Sequence, residues 1–175
     1  YQEEIDFIIG NESRNRLISN LALDSEGNTL VLYNRVDAHG KPLFEMIQDK
    51  CGEKRKVFFV SGDVKTDDRE AIRKIVEKQK DSIIVASLGT FSTGINIRNL
   101  HNIIFASPSK SQIKVLQSIG SGLRQSDNGR QTKLFDVADD LHWKTRRNYT
   151  LHHSAERVKI YEKEQFKYKI VKVDI

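Results

Sequence analysis

The chain has 175 residues, of which 38% are hydrophobic and 30% charged, the composition of one ordinary globular domain. No apolar run approaches the roughly 20 residues of a membrane-spanning helix, and no signal-peptide pattern opens the sequence. Cys51 is the only cysteine, which excludes an internal disulfide and fits a reducing compartment. We therefore expect a cytoplasmic protein without a membrane partner.

The formal net charge of +5 is concentrated near the C-terminus. The segment from Lys144 to Lys172 carries nine basic and three acidic residues, a balance of +6 that leaves about −1 for the remainder. Such a segment could lie along a phosphate backbone, although a solvated helix face would have the same composition.

Four runs of continuously apolar residues predict buried strands, because strands that are covered on both faces do not alternate in polarity. A fifth run is similar but weaker. The five predicted strands are Leu30–Tyr33, Val57–Val60, Ile83–Ala86, Ile103–Ala106 and Leu134–Val137.

Amphipathic helical patterns precede the first strand and separate the strands. Asp67 and Glu70 have the spacing of a capping box at the start of one of these helices. The early strands begin about 26 residues apart, the length of a βαβ crossover. The alternation predicts an α/β fold with an open, mostly parallel sheet and helices on both faces.

The pattern changes after the fifth strand. Residues Trp143 to Glu164 predict one long helix. Phe166–Val173 then alternates apolar residues with lysine, which predicts an edge strand with one wet face. We accordingly divide the chain into a main domain over residues 1–141 and a basic helix and edge-strand extension over residues 142–175.

Two stretches at expected strand ends carry candidate chemistry. Residues 85–97 run from a buried strand into a loop with several hydroxyls and two glycines, which can approach a phosphate closely. In residues 108–124, Gln117, Gly120 and Arg124 fall near one helix face, from which an arginine can hold a phosphate. Each stretch alone also fits an ordinary turn or helix.

Together the two stretches resemble motifs V and VI of superfamily 2 helicases. The shared residues are Gly94-Ile-Asn-Ile, Leu100, Ile103-Ile104, the serines after Pro108, and Gln117-x-x-Gly120 ending at Arg124. Upstream, Thr29–Val36 resembles motif IV, and Phe59–Asp63 with Arg69 resembles the next strand and loop. The resemblance covers residues 12–141, implies a RecA-like fold, and is strongest to phage recombination and repair helicases.

The resemblance implies a domain that acts on ATP held by a second RecA-like domain. Arg124 stands where the family places an arginine finger on the γ-phosphate, and Gln117 where it senses the nucleotide. Gly94 and Asn96 match the end of motif V, which couples the nucleotide state to the grip on nucleic acid.

The resemblance also implies contacts that hold a nucleic-acid backbone without reading its sequence. The matching positions are Asn34, Arg35, Gly62 and Ser87. Lys167 and Lys169 of the basic extension would add to these contacts. A glutamine at position 117, where RNA helicases of the DEAD-box group usually have histidine, favours DNA over RNA or an RNA–DNA hybrid.

One position departs from the family. Gly120 and Ser121 match the part of motif VI that faces the nucleotide, but the family pattern Gln-x-x-Gly-Arg-x-x-Arg has arginine where Ser121 stands. The change removes one expected phosphate contact. It favours, as an alternative, a RecA-like module that binds nucleic acid without hydrolysing ATP.

The sequence contains neither a Gly-x-x-x-x-Gly-Lys-[Ser/Thr] loop nor an Asp-Glu pair after a strand. ATP and Mg²⁺ would therefore be held mainly by an N-terminal RecA-like domain of the same polypeptide. The joined domains would form an ATP-dependent DNA helicase that unwinds or remodels branched DNA in recombination, repair or replication-fork processing. Its location would be the host cytoplasm if a phage encodes it. The alternative enzyme is the motor of a restriction or excision-repair complex.

The remaining reactive side chains have ordinary interpretations. Cys51 is expected to be structural. Trp143, Tyr149 and Tyr161 could stack on bases, but packing in the core or against a helix is the expected role. The histidines lack the spacing of metal ligands. They are His39, His101, His142, His152 and His153.

Overall fold

The computed structural model describes residues 1–61, 65–91, 99–108, 132–164 and 166–175. The helices are α1 (Gln2–Gly10), α2 (Glu12–Asp24), α3 (Lys41–Cys51), α4 (Lys65–Lys78) and α5 (Tyr149–Lys163). The strands are β1 (Thr29–Tyr33), β2 (Val57–Val60), β3 (Ile83–Ser87), β4 (Asn102–Phe105) and β5 (Lys133–Asp136). A π-helical turn (Val36–Gly40) precedes α3, and a 3₁₀ turn (Leu88–Phe91) follows β3.

The five strands form one parallel sheet in the order β2-β3-β1-β4-β5. At its centre, Val31 lies between Val85 and Ile104 of the neighbouring strands. All five strands run in the same direction, so their carboxyl ends meet at one edge, here called the carboxyl edge, and their amino ends at the opposite amino edge. The predicted α/β fold with a parallel sheet is confirmed.

Helices cover both faces of the sheet, because alternate residues of each strand point to opposite faces. On one face, Leu30, Ile84 and Phe105 pack with Ile72 of α4 and Tyr161 of α5. The opposite face holds a second cluster, which α2 and α3 cover. Its residues include Val31, Val85 and Ile104 from the strands with Ile18 and Leu43 from the helices. Burial on both faces explains why the central strands read as unbroken apolar runs.

The second predicted strand is less buried than expected. Val57, Phe58 and Phe59 are only partly buried, whereas every residue of β1 is buried. The strand order puts β2 at the end of the sheet, where a single neighbour covers it. An apolar run therefore identified the strand but not its place in the sheet.

The capping box predicted at Asp67 and Glu70 is wrong. Helix α4 already includes Lys65, so Asp67 lies inside its first turn and cannot be the residue that caps it. A side-chain cap does occur at Asn11, whose Oδ1 accepts a hydrogen bond of 2.9 Å from the Arg14 backbone N–H. None of the described helices combines the length and apolar character needed to cross a membrane.

The long helix predicted from Trp143 is also wrong at its start, since α5 begins at Tyr149. Trp143 and Arg146 instead pair as an antiparallel bridge with two backbone hydrogen bonds of 2.9 Å. The turn between them places Lys144 at a φ of 55°. A helix cannot pass through a residue in the left-handed region, so the turn delays the helix.

A buried ion pair attaches α5 to the sheet. The Arg157 guanidinium donates to both carboxylate oxygens of Asp136 in β5, at 2.6 and 2.8 Å. The Tyr161 hydroxyl donates to the same carboxylate at 2.6 Å. Burial and the neighbouring Asp136 carboxylate raise the pKa of Tyr161 well above its ordinary value. The packing role expected for Tyr161 is confirmed.

The edge strand predicted over Phe166–Val173 is absent from the structure, where residues 166–175 form neither strand nor helix. Alternation of apolar and polar residues produces a strand only where a neighbouring strand supplies hydrogen bonds. Phe166 instead packs on the core beside α5, and its backbone N–H donates to the Tyr161 carbonyl at 3.0 Å. Ile170 and Val171 are left 72% and 66% exposed.

Candidate functional site at the carboxyl edge

The carboxyl edge brings together residues that are far apart in the sequence. Asn34 follows β1, Ser87 ends β3 and Ser107 follows β4. β1 is paired with both other strands, and Ser87 lies opposite Tyr33, the residue before Asn34. Asn34 is exposed and Ser87 is partly exposed, so both side chains are available to a ligand at this edge.

A buried hydroxyl holds the backbone of the exposed Asn34. The Ser107 Oγ accepts a hydrogen bond of 2.8 Å from the Asn34 backbone N–H. The same oxygen lies 3.0 Å from Nδ1 of His39, a fully buried residue of the π-helical turn. The turn after β1 is thereby tied to the segment after β4.

The partners of His39 define its tautomer. Its Nε2 lies 3.0 Å from the Asn15 Oδ1, and the Asn15 amide nitrogen donates to the Ile9 carbonyl at 3.1 Å. Because Oδ1 can only accept, the His39 Nε2 carries the proton and Nδ1 accepts from the Ser107 hydroxyl. This neutral form satisfies both ring nitrogens.

The surroundings of His39 oppose a second proton. Burial, and then the positive charge of Arg14, lower the pKa of His39 from 6.5 to about 3. The imidazole therefore stays neutral at physiological pH and acts as a fixed relay of hydrogen bonds from α2 to the turn after β1.

Arg14 joins the ends of β4 and β5. Its side chain is 2% exposed, and its Nε and Nη2 donate to the two carboxylate oxygens of Asp139 at 2.6 and 3.0 Å. Its Nη1 donates to the Ala106 carbonyl at 2.6 Å. A planar guanidinium can make these three bonds at once, whereas a lysine ammonium could not reproduce the fork.

Arg35, predicted to contact a nucleic-acid backbone, is engaged within the protein. Its guanidinium forms an ion pair with Asp6 of α1, and its side chain is 35% exposed. A phosphate would have to compete with the Asp6 carboxylate for this group. The predicted role of Arg35 therefore requires an exchange of partners that Asn34 and Ser87 do not need.

Lys167 and Lys169 lie on the exposed tail. Contacts with α5 hold this tail in place, including a hydrogen bond of 2.8 Å from the Tyr168 hydroxyl to Glu162. Further along, the charge of Lys172 contributes to lowering the pKa of Asp140, after the larger effect of hydrogen bonds from His142. The end of the tail is thus close to the segment that follows β5.

Seven of the predicted site residues lie outside the described residues. They are Gly62, Gly94, Asn96, Gln117, Gly120, Ser121 and Arg124. Their assigned roles stay predictions. Within the described ranges, no three His, Cys, Asp or Glu side chains are grouped so that they could hold a metal ion.

Sequence reasoning missed the polar groups that support the site, namely the buried Arg14, Asn15 and His39 and the largely buried Asp139. No local pattern marks them, because the Arg14–Asp139 pair joins positions 125 residues apart. The packing expected for the aromatic residues is wrong for Trp143, whereas the ring of Tyr149 packs edge-on against Tyr1 with the centroids 5.9 Å apart. Trp143 is 74% exposed, and Tyr149 is still 60% exposed despite its contact with Tyr1.

The family comparison extends over most of the chain. The family described as helicase conserved C-terminal domain matches residues 12–125. This range includes the ends of β1, β3 and β4 and both motif-like stretches of the sequence. The predicted resemblance is confirmed at the level of the family.

A known relative supports the same assignment. The protein described as ATP-dependent DNA helicase uvsW, from Enterobacteria phage T4, is 37% identical over an alignment of 188 positions that covers all of this chain. The chain spans only 37% of the length of that relative.

Solved structures agree with the fold. The crystal structure of T4 UvsW matches with a TM-score of 0.71 at 37% identity, covering 94% of this chain and 35% of that one. The C-terminal domain of the DEAD-box protein Dbp5 matches with a TM-score of 0.55 over 88% of this chain and 81% of its own. At 13% identity, the second match concerns the fold alone.

Proposed function

Because this chain belongs to the helicase conserved C-terminal domain family, we propose that it is the second motor domain of an ATP-dependent DNA helicase. The observation that carries the proposal is the family match over residues 12–125, which includes Gln117-x-x-Gly120 and Arg124. The DNA substrate is proposed from the relative named as a DNA helicase. Branched DNA of recombination, repair or stalled replication is the proposed target.

ATP and Mg²⁺ would be held mainly by an N-terminal RecA-like domain of the same polypeptide. The chain itself carries no phosphate-binding loop of the Gly-x-x-x-x-Gly-Lys-[Ser/Thr] type. Arg124 and Gln117 would reach the nucleotide from this domain, with Gly120 and Ser121 beside them. Gly94 and Asn96 would couple the nucleotide state to the grip on DNA.

The carboxyl edge would hold the DNA backbone. Asn34 follows β1 and Ser87 ends the neighbouring β3, and both side chains are at least partly exposed, which suits contacts with phosphates that ignore base sequence. Gly62 and Arg35 complete the proposed contacts, and Lys167 and Lys169 add charge from the tail. The basic extension of residues 142–175 would assist a motor domain of residues 1–141.

The test is turnover of ATP by Arg124→Ala in a protein that contains both RecA-like domains. An arginine finger acts on the transition state, so DNA-stimulated turnover should fall by about 10³-fold or more with little loss of DNA binding. Arg124→Lys should rescue little, because lysine lacks the planar fork. The matched control is Arg73→Ala, which removes a half-exposed arginine of α4 and should leave turnover unchanged. Normal turnover in Arg124→Ala would contradict the assignment.

A second candidate function rests on Ser121. If the absence of an arginine at position 121 abolishes ATP hydrolysis, the chain would belong to a module that binds nucleic acid and does not turn over ATP. Ser121→Arg separates the two candidates. Stimulated turnover in the natural protein supports the helicase, and turnover that appears only in Ser121→Arg supports the module.

A further inference from the structure

The segment between β5 and α5 exposes the only tryptophan of the chain. Trp143 is 74% exposed, with Leu141 42% and Tyr149 60% exposed close to it in sequence. Burial of a tryptophan is strongly favourable, so a ring left this exposed, with two further exposed apolar side chains nearby in sequence, is a candidate contact for a ligand. We call residues 141–149 the Trp143 turn.

The Trp143 turn is anchored at its base. Asn148 closes the base, since its Oδ1 accepts from the Leu141 backbone N–H at 2.9 Å and its Nδ2 donates to the Asp139 carbonyl at 3.0 Å. The Asp139 side chain is itself fixed by the buried Arg14. The turn thus presents its tip from a rigid support, which lowers the entropy lost on binding.

Three of the four residues that follow Trp143 in the sequence are basic. Lys144, Arg146 and Arg147 are exposed, and among the described residues none of the three forms an ion pair.

The nearby carboxylates are already engaged. Asp139 binds Arg14, Asp140 lies 2.5 Å from the His142 Nδ1, and Glu4 accepts from the Thr150 backbone N–H at 3.0 Å. In the described part of the chain, these carboxylates are held by other groups and do not form ion pairs with Lys144, Arg146 or Arg147, so the three cations can contact an anionic ligand.

The Trp143 turn also lies on the side of the molecule proposed to hold DNA. It follows the carboxyl end of β5, and Arg14 joins its base to the end of β4. β1, which precedes Asn34, is two strands away from β5, or about 10 Å at the usual strand spacing. A strand of nucleic acid on Asn34 would reach the turn within a few nucleotides.

We propose that the Trp143 turn binds unpaired nucleotides, with the indole of Trp143 stacked on a base and Lys144, Arg146 and Arg147 facing the flanking phosphates. The inference rests on the proposed function and deepens it. The family match ends at residue 125, so the site lies beyond the shared helicase motifs. A flat aromatic face among unpaired cations suits a single strand, because every base offers a π-face.

The natural fluorescence of the chain provides the first test. Trp143 is the only tryptophan, so its emission reports directly on its surroundings. Titration of the 175-residue chain with oligothymidylate should quench this emission as the base stacks. Trp143→Ala has no tryptophan emission, so its binding is measured with a labelled oligonucleotide. The affinity for the oligonucleotide should fall roughly 5-fold to 100-fold in Trp143→Ala, while Trp143→Phe should keep most of it.

A blunt duplex is the control ligand. Its bases are paired, so Trp143→Ala should leave its affinity unchanged. Since Trp143 is exposed, the variant should also keep the melting temperature of the parent chain. Equal losses for single strand and duplex would overturn the stacking role.

The charge of the turn is tested with a matched pair of triple variants. The salt slope is the steepness with which the logarithm of the affinity falls with the logarithm of the salt concentration. Lys144→Gln, Arg146→Gln and Arg147→Gln together should lower this slope for single-strand binding by about 2. The control replaces Lys54, Lys78 and Lys80 with glutamine, which removes the same charge from exposed positions at the amino edge. Equal slopes for the two triple variants would overturn the phosphate contacts.

The outcomes separate this site from the proposed function. If the chain binds oligonucleotides but Trp143→Ala binds them equally well, this inference fails and the proposed function stands. Failure to bind any nucleic acid would contradict both. Binding of phosphatidylserine vesicles through Trp143, without quenching by oligothymidylate, would assign the turn to a lipid surface and overturn the inference.

Discussion

The two edges of the sheet use polar residues in opposite ways. At the amino edge, hydrogen bonds of the buried polar side chains close the loops onto one another. At the carboxyl edge, a buried network supports side chains that remain open to solvent. The same parallel sheet therefore has one edge committed to stability and another available for ligands.

The side chain of Asn28 shows how the amino edge is closed by hydrogen bonds. Its Nδ2 donates to the carbonyls of Gln79 and Asn99 at 2.7 and 2.9 Å. Its Oδ1 accepts from the backbone N–H and the hydroxyl of Ser82 at 3.0 and 2.8 Å. Both donors and both acceptor positions of the amide are used, so nothing remains for a ligand. The neighbouring Gly27 has a φ of 91°, and a Cβ there would lie 2.4 Å from the His101 Nδ1.

At the carboxyl edge, buried and exposed side chains have different roles. Arg14 and His39 are buried and hydrogen-bonded through all of their side-chain nitrogens, whereas Asn34 and Ser87 are at least partly exposed. The buried groups hold the turns, and the exposed groups are free to contact phosphate. Substitutions at the amino edge should therefore change stability alone. At the carboxyl edge, substitutions of buried residues should change stability, and substitutions of exposed residues should change DNA binding.

The largest expected effect is that of Arg14→Met. Removing the guanidinium leaves the Asp139 carboxylate and the Ala106 carbonyl without their buried partner, which should cost about 3–5 kcal/mol of unfolding free energy. Urea unfolding measures this loss of unfolding free energy. Arg16→Met on the same helix removes a half-exposed arginine whose pair with Glu12 spans 3.4 Å, and should cost less than about 1 kcal/mol. Equal losses in the two variants would contradict the network.

Asn28→Ala should destabilise the chain by about 2–3 kcal/mol, because buried partners such as the Ser82 N–H and the Gln79 carbonyl lose their bonds. DNA affinity of the folded protein should not change. Asn20→Ala, at an exposed asparagine with one bond to Lys50, is the control and should have little effect. A loss of DNA affinity in Asn28→Ala without a loss of stability would refute the division between the two edges.

The third prediction concerns pH. The pKa of His39 is lowered from 6.5 to about 3 in the folded chain, so on acidification the unfolded chain takes up a proton that the folded chain does not. This contribution to stability is complete above about pH 6.5 and is lost below it, by about 1.4 kcal/mol per pH unit until about pH 3.

His39→Gln should remove this slope. Urea unfolding at several pH values between about 7.5 and about 5 compares the unfolding free energy of the variant with that of the parent chain. Most carboxylates do not titrate in this range. The ring signals of His39 in NMR spectra should show the neutral Nε2–H tautomer throughout that range. A protonated ring at about pH 5 would contradict the assignment.

The smallest expected effect is that of the tail. Lys167, Lys169 and Lys172 replaced together by glutamine should weaken DNA binding by a similar factor for all sequences, and should lower the salt slope by about 2 if all three face phosphates. Stability should not change, because Lys167 and Lys169 are exposed. An unaltered salt slope would make the tail a solvated surface only.

Local sequence patterns predicted the regular part of the fold well. The observed strands differ from the five predicted ones by at most one residue at either end. The reason is that β1, β3 and β4 are covered on both faces, and this environment requires unbroken apolar residues that can be read directly. The same reading failed for residues 166–173, where alternation was present but no strand lay alongside to pair with it.

The candidate site was predictable in part. Asn34 and Ser87 were identified because they match family motifs that follow strands, and parallel strands end at a common edge. Exposure of Trp143 was not predictable, since the helix expected from this residue onward would have allowed its ring to pack on the core. The turn that exposes it depends on a positive φ at Lys144, for which a lysine gives no signal.

The sequence by itself determined the strands, the alternation with helices and the family, because each depends on the identity and spacing of neighbouring residues. Tertiary structure decided which strand lies at the end of the sheet and which polar groups meet. The His39–Ser107 and Arg14–Asp139 contacts join positions 68 and 125 residues apart. Such contacts follow from the strand order β2-β3-β1-β4-β5, which brings distant ends together and which no local pattern encodes.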